Sequence, residues 1–236
     1  MSKEGKNMKK QKRLMLMGCS LILGLSLLSL GGAKSNTMTV HAVTTPASKG
    51  LSAPEKVDGT TTEAKSVTGN STSGQVTYTN GTNNTTTATY KQHKYQTSTQ
   101  AKTSFATDEN VTETNGTKLK LSDGTTATRQ GVMGHVYVQW QKNGWNVTTV
   151  ANTDQLTTSS VKQTNKTVTA VANKVQKSLK TNQVTTKKVT RGNIVIYNGS
   201  QQKPVNQISW QQSTKVTQVS GNSAETTAKI AKDTLN

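Results

Sequence analysis

The residues best placed by type and spacing to act on something else are lysines. Lys162, Lys166, Lys174, Lys177 and Lys180 are separated by four, eight, three and three residues, which gathers them on one side of a helix at about 100° per residue. Lys187, Lys188 and Arg191 follow closely and extend the basic run. Such a stripe is either a solvated face or a contact surface for an anionic cell-wall polymer or for lipid headgroups. Catalytic chemistry has less to stand on. His93 and His135 lie in different segments with no cysteine or clustered carboxylate beside them, whereas zinc needs three or four convergent ligands. No metal or other cofactor is therefore expected. The carboxylates are scattered, with only Asp108 and Glu109 adjacent, and glycoside hydrolysis needs a facing pair. There is no nucleophile elbow, phosphate-binding loop or dinucleotide fingerprint. The expected class is a non-enzymatic binding or structural protein. The alternative is an envelope hydrolase, or a ligand- or carbohydrate-binding domain, whose site is assembled from scattered residues.

The lysine stripe needs a helix to carry it, and residues 160–180 supply the pattern. Val161, Val168, Val171, Ala172, Val175 and Leu179 recur on the side opposite the lysines. Before this helix, Lys118 to Leu121 alternates like a strand and ends at the turn pair Asp123-Gly124. His135 to Gln141 alternates again, meets Asn143-Gly144, and resumes from Trp145 to Val150. Asn-Gly suits a two-residue type I′ turn, in which both residues need positive φ. That turn pairs Trp140 with Val147, Val138 with Thr149 and Val136 with Ala151. Val138, Trp140, Trp145 and Val147 then share a core face, with Gln139, Gln141, Asn146 and Thr148 on the wet one. Exposed tryptophans could stack on sugars, but this alternation assigns them to packing.

A similar order returns downstream. Gly192 to Ile196 leads to Asn198-Gly199, Gln207 to Gln211 repeats the Tyr137 to Gln141 pattern, and a helix follows from Ser223 with Asn222 as its expected cap. Ile208 and Trp210 take the core places of Val138 and Trp140. The expectation is an α+β fold: an antiparallel sheet with two helices, built from a duplicated strand–hairpin–helix unit, residues 107–182 and 183–236. Residues 73–106 read as a weak β region around Val76-Thr77-Tyr78 and Ala88-Thr89-Tyr90. Residues 43–72, rich in Thr, Ser, Gly, Ala and Lys, read as a disordered linker.

The chain opens with six basic residues by position 13, an apolar run from Leu14 to Leu30, and Val40-His41-Ala42. This is the order of a secretory signal cleaved near Ala42, and an uncleaved membrane anchor is its alternative. Cys19 follows Leu16-Met17-Gly18, as in a lipoprotein acylation site, although the apolar run continues past it. Removing residues 1–42 leaves 22 basic and 10 acidic residues, a net charge of +12. The expected location is therefore secreted or at the surface of a Gram-positive cell, close to polyanions. No nucleic-acid-binding motif accompanies the charge, so no specific nucleic-acid partner is expected.

Residues Val136 to Thr148 with the helix after them, then Gln207 to Gln212 and an Ala-rich final helix, resemble a group of uncharacterised extracellular proteins of lactobacilli. Those proteins carry a signal peptide, a Thr/Lys-rich spacer and a C-terminal domain with a Trp-Gln hairpin. The similarity spans residues 107–236 and implies location and architecture, not an activity.

Overall fold

Thr, Val, Ile and Tyr dominate the segments that become strands, as suits residues that pack on a pleated, half-buried surface. In the computed structural model, which describes residues 49–106, 116–132, 134–153, 160–199 and 205–235, they form ten strands and three helices. The chain runs β1 (Thr62–Gly69), β2 (Ser73–Asn80), β3 (Thr86–Lys94), α1 (Ser98–Ala106), β4 (Thr117–Lys120), β5 (Thr126–Val132), β6 (His135–Lys142) and β7 (Trp145–Asn152). It continues as α2 (Val161–Thr181), β8 (Arg191–Tyr197), β9 (Asn206–Gln212), β10 (Lys215–Gly221) and α3 (Ala224–Thr234).

All ten strands join one sheet, in the order β1-β2-β3-β10-β9-β8-β7-β6-β5-β4. Three antiparallel meanders, β1–β3, β4–β7 and β8–β10, lie side by side. β7 and β8 pair in parallel, with α2 as the crossover that a parallel pair requires. The last strand, β10, returns to pair with β3.

This overturns the expected two-helix α+β fold. Among the described residues strand accounts for 45% and helix for 25%, the sheet is mixed rather than antiparallel, and α1 is a third helix. Nor are there two equal strand–hairpin–helix units. β4–β7 contributes four strands before its helix and β8–β10 only three. Residues 73–106 form β2, β3 and α1, and the two strands are integral to the sheet. The segment read as a disordered linker holds β1, and ahead of it Leu51, Ala53 and Val57 are buried in the core. Ala64 and Val67 pack partly buried against the same core, a use of sparse apolar residues that average composition does not reveal. The export segment through Ala42, with Cys19, lies outside the described residues, as do Asp108 and Glu109.

One face of the sheet carries the main core. Val136, Val138, Trp140, Trp145 and Val147 meet Ile194, Ile196, Ile208, Trp210 and Val219 there, and Tyr78 and Tyr90 extend it beneath β1–β3. α2 and α3 cover this face through Val168, Ala172, Val175 and Leu179 and through Ala228, Ile230, Ala231 and Leu235. At its centre Trp145, Gly192 and Trp210 are cross-strand neighbours on β7, β8 and β9. The two indoles meet over the glycine with ring centres 6.2 Å apart. A Cβ on Gly192 would stand 2.2 Å from the Trp145 ring.

The opposite face is polar. Gln141, Asn146, Asn193, Ser209, Gln218 and Lys91 fall in one row across six strands. α1 packs on this side. Its buried Ala101 and Phe105 stand outside the main core, and its Ser98 carbonyl accepts from Gln211, the neighbour of Trp210 that points the other way.

Candidate functional site: the outer face of α2

Ser160 opens α2. Its backbone is extended and its hydroxyl accepts from the Gln163 N–H at 3.2 Å, relieving one of the unpaired donors of a first turn. Val168, Ala172, Val175 and Leu179 then face the sheet and are buried. Val161, expected among them, is 70% exposed. Lys162, Lys166, Lys174, Lys177 and Lys180 are all exposed. At 100° per residue, Lys162, Lys166, Lys177 and Lys180 fall within a sector of about 60°, opposite the buried residues, with Lys174 beside them. The helix contains no acidic residue.

The C-terminal end is equally well fixed. Gln183 has a positive φ of 56°. Its N–H donates to the Lys180 carbonyl, and the Val184 N–H reaches back to Leu179. This is the paired bonding of a Schellman motif, closed by the buried Leu179 and Val184. The loop beyond is pinned to the tip of the β6–β7 hairpin. The Asn143 side chain donates to the Thr185 carbonyl at 2.7 Å, and the Trp145 indole N–H donates to the Lys187 carbonyl at 2.9 Å. Lys187 and Lys188 are exposed on this anchored loop. Arg191 is different. It begins β8 half-buried, and strand alternation points it with Asn193 away from Gly192, Ile194 and Ile196. It therefore leaves the basic stripe for the polar side of the sheet.

Other candidates do not assemble. His93 and His135 both point to the polar face but lie on β3 and β6, five strand spacings apart, or about 24 Å. Each packs beside a tyrosine, His93 on Tyr95 and His135 on Tyr137. Among the described residues no three His, Cys, Asp or Glu side chains are grouped as a metal would need.

Asp58 and Asp233 come near one another, a proximity invisible in sequence. Burial raises the Asp233 carboxyl above its ordinary value; Lys232 opposes the rise and Asp58 adds to it. Neither aspartate lines either of two shallow cavities on the described surface. One of these, about 260 Å³, lies at the β6–β7 turn along Gln141 to Asn146. The other, about 330 Å³, has Glu63 as its sole carboxylate, beside Lys56 and Thr60 to Thr62. The three indoles are buried, Trp145 and Trp210 completely and Trp140 nearly so, so none is free to stack on a sugar.

Asp123 does support the basic element indirectly. Its carboxyl is held at about 2, first by the Thr125 hydroxyl and backbone N–H and less by Gln176 of α2 and by Lys142, against a small desolvation effect. It thus ties the β4–β5 turn to α2 and to β6. Among the described residues, no helix is long and apolar enough to cross a membrane. No protein-family model matches the chain, and neither does any curated protein or solved structure.

Proposed function

We propose that this is a non-enzymatic, basic protein of the Gram-positive cell surface, exported by its N-terminal segment and held to anionic envelope material by charge. The observation that carries the reading is the outer face of α2: five exposed lysines, no carboxylate on the helix, and an opposite face fixed against the sheet. Because that apolar face is buried, α2 cannot also insert it into a bilayer, as an interfacial helix would. Contact through α2 is therefore a matter of charge alone. The net charge of +12 left after residue 42 adds long-range attraction to the same partners.

Exposed charges attract over about 8 Å at physiological salt and about 3 Å at 1 M. Protein retained in this way leaves intact cells in concentrated salt, without detergent or wall-degrading enzyme. Replacing the five lysines by glutamine should lower the retained fraction at physiological salt. Retention that persists at 1 M salt, or is unchanged in the glutamine variant, would refute the reading.

A further inference from the structure

We infer that the partner of α2 is a linear polyanion, of the phosphodiester or polyphosphate kind, lying lengthwise along the helix toward the Lys187–Lys188 loop. The inference rests on the charge-held reading above and goes further by naming the chemistry and the direction. Three observations support it.

The first is shape. Lys162 to Lys180 spans 18 helical steps, about 27 Å, while the lysines other than Lys174 occupy only about a 60° sector. A charge track this long and this narrow matches one extended chain. A small anion could meet only a fraction of it.

The second is what surrounds the lysines. Contact with a lipid surface normally combines basic residues with apolar or aromatic ones that enter the acyl boundary. Val161 and Val205 are the large apolar residues exposed among the described part of the chain. Between Lys166 and Lys174 the same side of α2 presents the exposed Ala170 and the half-buried Asn173, whose side-chain oxygen accepts from the Ser122 N–H of the β4–β5 turn. The track is bordered by that turn near its middle, keeps each of its lysines exposed, and lacks an anchor for a bilayer.

The third is continuity. The capped end of α2 leads directly into the loop tied down by Asn143 and Trp145. Lys187 and Lys188 are thus held in place beyond Lys180. A polymer leaving the helix meets two more cations whose backbone is already ordered.

The test uses the secreted full-length protein and two probes, a linear inorganic polyphosphate several tens of units long and vesicles of phosphatidylglycerol. Binding is followed by titration across a salt series, with tripolyphosphate as the short control. The long polyphosphate should bind. The logarithm of its binding constant should fall with the logarithm of salt at a slope near −5, about −0.7 for each of seven neutralised charges on a flexible chain. The slope should shrink to about −1.4 in the five-glutamine variant and become shallower by about 1.4 in K187Q/K188Q. Tripolyphosphate should bind at least tenfold more weakly at equal phosphate concentration.

Equal or tighter binding to the vesicles, or tripolyphosphate binding as well as the polymer, overturns the inference. If cells still release the protein in salt, that result leaves the charge-held reading in place. If neither probe binds and retention on cells resists salt, both readings fail.

Discussion

At the scale of single residues, Gly192 decides whether the centre of the sheet can close. It lies between Trp145 and Trp210, where even a methyl group would meet an indole at 2.2 Å. Gly192→Ala should therefore cost about 1–3 kcal/mol through overpacking, read as a lower urea midpoint with an unchanged slope. Conversely, Trp210→Ala should cost about 3–5 kcal/mol. A second prediction concerns Asp123. Its carboxyl titrates at about 2 in the folded protein, against an ordinary 3.8. A lowered acid contributes stability above its unfolded value and loses it as pH falls through its folded one. Asp123→Ala should therefore unfold more easily than the parent above pH 4, and the difference should shrink between about pH 4 and pH 2. A gap that stays constant over that range would mean that Asp123 acts through something other than its charge.

At the scale of elements, α2 has separable faces. Removing the cap with Ser160→Ala should cost about 1 kcal/mol in thermal or urea unfolding. Changing the five lysines to glutamine should alter stability by less than about 0.5 kcal/mol, as exposed substitutions usually do, so any loss of retention can be assigned to binding. α2 was legible because twenty residues of 3.6-residue period leave little choice of face. The β6–β7 register was legible because Asn143-Gly144 fixes it locally: the observed pairs Trp140–Val147, Val138–Thr149 and Val136–Ala151 are those the turn imposes. Val138, Trp140, Trp145, Val147, Ile208 and Trp210 are accordingly all buried. β1, β5 and α1 were not legible. β1 buries only Thr62 and is held by backbone pairing at an edge. β5 contains Gly131, which weakens its alternation, and α1 is marked in sequence by little more than its buried Ala101 and Phe105. The cap of α3 also moved by one residue, to Ser223, whose hydroxyl accepts from the Thr226 N–H. Of the proposed basic site, Arg191 alone departed; once β8 is seen to bury Gly192, Ile194 and Ile196, its orientation follows from alternation.

At the scale of the whole molecule, the contacts that matter most are the ones local pattern cannot carry: the parallel β7–β8 pair and the β3–β10 pair. A boundary at residue 107 looks natural in sequence, yet it cuts away β1, β2 and β3. A fragment of residues 107–236 would strip β10 of its β3 partner, making it an edge strand, and would remove Val76, Tyr78, Ala88 and Tyr90, all fully buried. It should show a much lower urea midpoint than a fragment of residues 49–236 and a tendency to associate through the bare β10 edge. Equal midpoints would mean that the N-terminal meander contributes little to the fold.

The place of β8–β10 has a further consequence, in time rather than space. No strand of β1–β3 touches a strand of β4–β7; the last meander stands between them. A chain that emerges N-terminus first must therefore keep two unfinished sheets waiting, their inner edges at β3 and β8 unpaired, until Asn206–Gly221 arrives to join them. Assembly that depends on such distant partners is slow. For this protein the vulnerable moment is the interval before its final hairpin is free, and a helper that shields nascent chains would act there.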